Sequence, residues 1–128
     1  MTENELSYKI IGAAIEVHKT LGVGLLENAY EIALAYELKQ LGMDVKQQIS
    51  LPLKYKEVTV ENAYRIDLIV EGKVIIEVKA VLDLNPVFYS QVLTYLKLTN
   101  VKLGLLINFN TELIKYGIHR IVNKLVNE

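Results

Sequence analysis

Two short neighbouring segments of the chain, residues 65–70 and 74–79, restrict how it can fold more than any other feature. They read RIDLIV and VIIEVK, and Glu71-Gly72-Lys73 separates them as a turn. In a β-strand, alternate side chains share a face. The alternate apolar sets are Ile66, Leu68 and Val70 before the turn, and Val74, Ile76 and Val78 after it. Both sets should therefore lie together on the core face of one β-hairpin.

The length of the hairpin loop decides which polar side chains meet. Residues directly opposite each other across a hairpin point the same way, so aligning the two apolar sets requires an odd number of loop residues. A two-residue turn would place Asp67 and Glu77 on opposite faces. A three-residue loop with Gly72 in a left-handed position avoids this. The other face then carries Arg65, Asp67, Ile69, Ile75, Glu77 and Lys79.

Asp67 and Glu77 would then share a face with Ile69 and Ile75, which predicts that a helix partly covers them. Two carboxylates in a partly covered place repel each other and lose hydration, so something must compensate them. A divalent cation with oxygen ligands is one candidate, since Mg²⁺ is typically held by one or two carboxylates plus water and phosphate. The alternative is a surface ion-pair cluster in which neighbouring basic side chains neutralise the acids.

The remaining pattern predicts an α/β fold. Two helices, at about residues 3–20 and 25–41, come first, and Gly22-Val23-Gly24 separates them. A third helix begins at Asn85-Pro86, where Asn is a good N-cap and Pro a good first residue, and runs to about Leu98. Strands are predicted at residues 45–53 (stopping near Pro52), 64–70, 74–80 and 103–109, and segment 117–123 could be a strand or a helix. This order favours a mixed sheet flanked by helices.

Composition narrows the class of protein. The 128 residues fit one domain, predicted to span residues 1–128. A formal net charge of −1 gives no global attraction to nucleic acid, so any such binding needs a local patch or metal ions. The lack of cysteine excludes disulfides and thiolate chemistry. No secretory signal or membrane-spanning apolar run is evident, so we expect a cytoplasmic protein without membrane contact.

Three motifs carry a resemblance to a known family. Asp67 followed by Glu77-Val78-Lys79 resembles the D…(E/D)-x-K signature of the PD-(D/E)xK nuclease superfamily, with Ile66 where a Pro is conventional. The segment GLLENAY, at residues 24–30, resembles the motif of the GxxExxY branch. The segment QVLTY, at residues 91–95, resembles the Gln-x-x-x-Tyr motif of RecB-like nucleases. The resemblance covers roughly residues 8–123.

The resemblance implies a restriction-endonuclease-like core of helix, three strands, helix and strand. It also implies hydrolysis of phosphodiester bonds in DNA or RNA with Mg²⁺ or Mn²⁺. Asp67 and Glu77 would be metal ligands, with the main-chain carbonyl of Val78 nearby. Glu27 would complete the metal shell. Lys79 would contact the attacking water and the scissile phosphate.

Several of these side chains also have a simpler structural explanation. Glu27 could instead stabilise the N-terminus of its helix, and Tyr30 is interpreted as a packing residue with a polar tip. Gln91 and Tyr95 lie one helical turn apart, and we expect them to contact the hairpin site or a phosphate. Alternatively, Gln91 is an amide whose hydrogen bonds are satisfied at the junction of sheet and helix. His18 is an outer metal ligand or, more simply, a capping or packing histidine.

Two further functions stay open beside the nuclease. One is a catalytically silent module that binds nucleic acid or protein and retains the nuclease fold. The other is a purely structural domain in which Arg65 and Lys79 pair with the acids. A homodimer also stays open. The acidic pair and Lys79 favour the enzyme, because a silent module need not keep all three.

Overall fold

The computed structural model describes residues 1–126 and has three helices and five strands. The helices are α1 (Glu3–Leu21), α2 (Glu27–Gln40) and α3 (Pro86–Thr99). The strands are β1 (Val45–Tyr55), β2 (Val58–Val70), β3 (Val74–Lys79), β4 (Leu103–Asn108) and β5 (Ile118–Val122). A 3-10 turn at Ile114–Tyr116 precedes β5, so the undecided segment 117–123 contains a strand. Within residues 1–126 no helix is long and apolar enough to cross a membrane.

The sheet is mixed and its strands follow one another in chain order. β3 and β4 are parallel, and all other neighbouring pairs are antiparallel. A parallel pair needs a crossover connection, and α3 supplies it. The α/β class and the core order of helix, three strands, helix and strand are therefore confirmed.

Helices cover both faces of this sheet. α1 and α2 pack with one set of strand residues, which includes Leu68, Val70, Val74, Ile76 and Val78. α3 packs with another set, which includes Ile66, Ile75 and Leu106. Every residue of β4 is buried, as its continuous apolar pattern predicts. α3 begins as predicted, because the side chain of Asn85 accepts a hydrogen bond from the amide of Val87 at 2.9 Å.

Tyr30 connects α2 to the core and to the loop before it. Its ring is fully buried and stacks on Phe109, with centroids 4.7 Å apart. Its hydroxyl donates to the carbonyl of Gly22 at 2.6 Å and accepts from the amide of Leu25 at 3.2 Å. Tyr30 is thus a packing residue with a polar tip, and it holds the turn from α1 into α2.

The register of the β2–β3 hairpin is the predicted one. Leu68, Ile69 and Val70 pair with Ile76, Ile75 and Val74 in that order. The loop therefore has three residues, and Gly72 has a left-handed φ of 64°. Such a φ is easy for Gly, which explains the position of Gly72 in the turn.

One part of the face prediction is wrong. Ile66 does not share a face with Leu68 and Val70, since it packs in the α3 cluster and they pack in the α1–α2 cluster. The ladder between β1 and β2 has no bonded pair at Gln48 and Asp67, and Gln48 has a left-handed φ of 51°. The alternation of faces is interrupted at this point, which a hydrophobic pattern does not reveal.

β1 is also longer than predicted. It continues past Pro52 to Tyr55, and β2 begins at Val58, so the two form a long arm. Pro is tolerated because β1 is an edge strand, and its position coincides with a register shift between Leu51 and Leu53.

Candidate active site

Asp67 and Glu77 lie where β2 and β3 separate. The last bonded pair of the ladder before this point is Leu68 with Ile76. Beyond it, the side-chain carboxylates of the two acids accept the hydrogen bonds of backbone amides, as carbonyls of the opposite strand do in a regular ladder. The amide of Asp67 donates to Oε2 of Glu77 at 2.7 Å, and the amide of Val78 donates to Oδ2 of Asp67 at 2.9 Å. The predicted meeting of the two acids is confirmed, and backbone amides hold both carboxylates in place.

Burial perturbs both acids. Glu77 is 4% exposed, and burial, followed by the charge of Asp67, raises its pKa to about 8. Burial also raises the pKa of Asp67, while the hydrogen bond from Val78 and the charge of Lys79 act in the opposite direction. Without a bound cation the pair therefore favours holding a proton at neutral pH.

Lys79 follows the acids on β3 and is half-buried. Its Nζ lies 4.4 Å from the centroid of the Phe88 ring, on the first turns of α3. A cation over an aromatic face is attracted by the ring quadrupole. The main-chain carbonyl of Lys79 also accepts a hydrogen bond from the amide of Phe109 at 2.8 Å. The ammonium group is thus steered by α3, beside the acids rather than in the core.

An open cleft of about 690 Å³ contains this arrangement, and we call it the acidic cleft. It is lined by Glu27, Ser50, Asn62, Ala63, Tyr64, Arg65, Asp67, Glu77, Lys79, Gln91 and Tyr95. All six side chains predicted as catalytic line it: Asp67, Glu77, Lys79, Glu27, Gln91 and Tyr95. Segments far apart in the chain thus meet at one cleft.

Gln91 and Tyr95 occupy different depths of this cleft. Gln91 is exposed on α3. Tyr95 is 6% exposed and packs edge-on against Tyr64, with centroids 6.0 Å apart. Burial, followed by the charges of Glu77 and Asp67, raises the pKa of the Tyr95 hydroxyl. Gln91 can therefore reach a bound ligand, whereas Tyr95 supports the wall of the cleft.

Glu27 is the first residue of α2 and is exposed. Besides the acidic cleft it lines a second cleft of about 510 Å³, which also contains Arg65 and Asp67. Within residues 1–126 no group of three or more His, Cys, Asp or Glu side chains could hold a metal ion. Glu27 therefore shares the clefts with Asp67 without forming a three-acid cluster with it and Glu77.

The sequence interpretation missed Glu31 and Gln48. Glu31 lies one helical turn after Glu27 and is 5% exposed. Its Oε1 accepts a hydrogen bond from Nε2 of Gln48 at 2.6 Å, and the same nitrogen lies 3.4 Å from Oδ1 of Asp67. Burial raises the pKa of Glu31, and the hydrogen bond from Gln48 opposes this. The four-residue spacing of Glu27 and Glu31 puts them on one helix face, and this spacing could have indicated from sequence that Glu31 lies near the site.

His18 lies away from this cleft. Its Nε2 donates to the carbonyl oxygen of Thr111 at 2.8 Å. It lines a separate apolar groove with Ile15, Val23 and Leu113. This contact favours the packing interpretation of His18 over a role at the acids.

The arrangement has the donors of a hard-cation site. Asp67 and Glu77 each use one oxygen on a backbone amide. Oε1 of Glu77 and Oδ1 of Asp67, which has a long 3.4 Å contact with Gln48, keep lone pairs for a ligand. Lys79 and Arg65 line the same cleft and supply positive charge beside the acids. Two carboxylates with a neighbouring lysine suit binding of a divalent cation and of an anionic ester next to it.

Comparison with known families adds an independent finding. The family model described as the PD-(D/E)XK nuclease superfamily matches residues 4–121. Comparisons with curated proteins and with solved structures gave no significant match. The matched range contains every residue that lines the acidic cleft.

Proposed function

Because the chain belongs to the PD-(D/E)XK nuclease superfamily, we propose that it hydrolyses phosphodiester bonds in DNA or RNA. The observation that carries the proposal is the contact between Asp67 and Glu77 beside Lys79, in an open polar cleft. The segment at residues 24–30 supports a finer assignment to the GxxExxY branch, since its Glu27 lines this cleft. A cytoplasmic location and a homodimer stay predictions.

The chemistry of the donor set fits Mg²⁺ or Mn²⁺. Asp67 and Glu77 would hold the ion, with the carbonyl of Val78 as a further oxygen donor; Glu27, which lines the cleft without clustering with the two acids, would serve as an outer donor. When bound, such an ion acidifies water and neutralises charge on phosphate. The raised pKa values of the two acids support this assignment, because a cation would replace the proton that the pair otherwise favours.

The protein side chains would position and stabilise the substrate. Lys79, which lines the cleft beside the two acids, would contact the attacking water and the scissile phosphate and stabilise the developing negative charge by its own positive charge. Arg65 offers a second cation to a phosphate oxygen. Gln91 donates or accepts a hydrogen bond at the α3 side of the cleft, where it is exposed.

Substitution separates these roles. Asp67→Ala and Glu77→Ala should each abolish metal-dependent cleavage, because each deletes an oxygen donor. Lys79→Ala should still bind Mn²⁺ in calorimetry but cleave about 100-fold more slowly, the scale of losing one charge-stabilising donor. Lys97→Ala, an exposed lysine on α3 outside the cleft, is the matched control.

The assay uses a mixed set of single- and double-stranded DNA and RNA with Mg²⁺ or Mn²⁺. A Lys79→Ala protein that cleaves as fast as wild type would refute the role of this lysine. A wild type that cleaves none of the set, yet binds it, would favour the silent binding module. That module is the second candidate, since backbone amides satisfy the acids even without a cation.

A further inference from the structure

Gln48 stands out because its backbone and side chain are both unusual. It has a left-handed φ of 51° inside β1. Left-handed backbone is uncommon for residues with a side chain and persists only where surrounding contacts favour it. It also sits opposite Asp67, at the point where the β1–β2 ladder has no bonded pair. Gln48 is therefore held in an unfavourable conformation next to the acidic cleft.

The side chain of Gln48 connects two acids on different elements. Its Nε2 donates to Oε1 of Glu31 at 2.6 Å and lies 3.4 Å from Oδ1 of Asp67. An amide nitrogen carries two hydrogens, so one group can serve both carboxylates. The short contact anchors the amide on buried Glu31. The long contact orients Asp67 weakly, so that its Oδ1 keeps the capacity to bind a cation.

The contacts form a continuous chain from α2 to β3. Glu31 on α2 contacts Gln48 on β1, Gln48 contacts Asp67 on β2, and Asp67 contacts the amide of Val78 on β3. Outer hydrogen bonds of this kind fix the orientation of ligating side chains. The geometry points to Gln48 as a positioning residue that, anchored by Glu31, orients Asp67 for a divalent cation. This inference rests on the proposed function.

Calorimetric titration of Mn²⁺ into the metal-free protein tests this role without nucleic acid. Gln48→Ala and Gln48→Gly should each weaken Mn²⁺ binding about tenfold. The Gly variant suits a positive φ, so its loss cannot come from backbone strain. Gln40→Ala, an exposed amide at the end of α2, is the matched control and should bind like wild type.

Variants of Glu31 separate a hydrogen-bonding role from a charge. Glu31→Ala should weaken Mn²⁺ binding about tenfold, as the Gln48 variants do. Glu31→Gln should lose less than threefold, since its amide oxygen can accept the same bond from Gln48. Equal losses for the Gln and Ala variants would make Glu31 a charged ligand and overturn the anchoring role.

Three outcomes distinguish this inference from the proposed function. A Gln48→Gly protein that binds Mn²⁺ like wild type overturns the positioning role, whatever the nuclease assay gives. A wild type that binds Mn²⁺ more tightly than the Gln48 variants but cleaves nothing supports positioning while the nuclease proposal fails. A wild type that binds no Mn²⁺ overturns both.

Discussion

Glu77→Gln should raise the free energy of unfolding of the metal-free protein at alkaline pH. Glu77 is 4% exposed, and burial followed by the charge of Asp67 raises its pKa to about 8. A glutamine has nearly the same shape, and its oxygen can accept the 2.7 Å hydrogen bond from the amide of Asp67. The substitution therefore removes the charge and keeps the contact.

The sign follows from linkage between protonation and folding. The pKa of Glu77 is higher in the folded protein than its ordinary value of 4.5. The stability that protonated Glu77 contributes to the folded protein is fully present below about pH 4.5 and is lost as the pH rises through about 8. Each pKa unit is worth about 1.4 kcal/mol, which sets a ceiling of roughly 5 kcal/mol. Relaxation and water entry reduce such penalties, so we expect a gain of about 2 to 3 kcal/mol at about pH 9.

Urea unfolding in the presence of a chelator measures this effect at about pH 5, 7 and 9. Wild type should lose stability across the series relative to Glu77→Gln, and Mg²⁺ should restore wild type but not the variant. Glu57→Gln, an exposed acid in the turn of the β1–β2 arm, is the control and should follow wild type. Parallel stability curves for wild type and Glu77→Gln would refute the reasoning.

Two further predictions concern the fold. Tyr30→Phe should lower the free energy of unfolding by about 1 to 3 kcal/mol, because two backbone groups of residues 22–25 lose their partner; a loss below about 0.5 kcal/mol in urea unfolding would contradict this. Gly117→Ala should cost about 3 kcal/mol or more, since its Cβ would overlap the carbonyl oxygen of Asn108. Gly12→Ala, in an exposed helix position with no atom near its Cβ, should instead stabilise by about 1 kcal/mol in the same assay; equal effects of the two changes would refute the steric argument.

The hairpin could be predicted from sequence because its information is local. The alternating apolar residues and Gly72 determine the register of Leu68 to Val70 without any distant contact. The start of α3 is local too, since Asn85 caps its own helix.

The parts that escaped prediction depend on distant contacts. The β1–β2 ladder is interrupted at Gln48 and Asp67, and Ile66 beyond that point packs on the α3 side of the sheet; no propensity of Gln or Asp indicates this. Glu31 resembled an ordinary helix-surface acid, because its burial depends on β1 and β2 packing beside α2. Pro52 indicated the end of a strand, but an edge position let the strand continue.

The use of Asp67 and Glu77 as substitutes for ladder carbonyls has an evolutionary consequence. Each carboxylate accepts a hydrogen bond that the separating strands no longer provide, so replacing either acid by an apolar residue would leave a backbone amide unsatisfied. Selection for folding alone would thus preserve both acids in descendants that had lost catalysis. The side chain of Lys79 does not replace a backbone hydrogen-bond partner in this way, so selection for folding alone would not preserve it. Among relatives of this chain, the residue at the position of Lys79 should therefore mark the active lineages better than the two acids do.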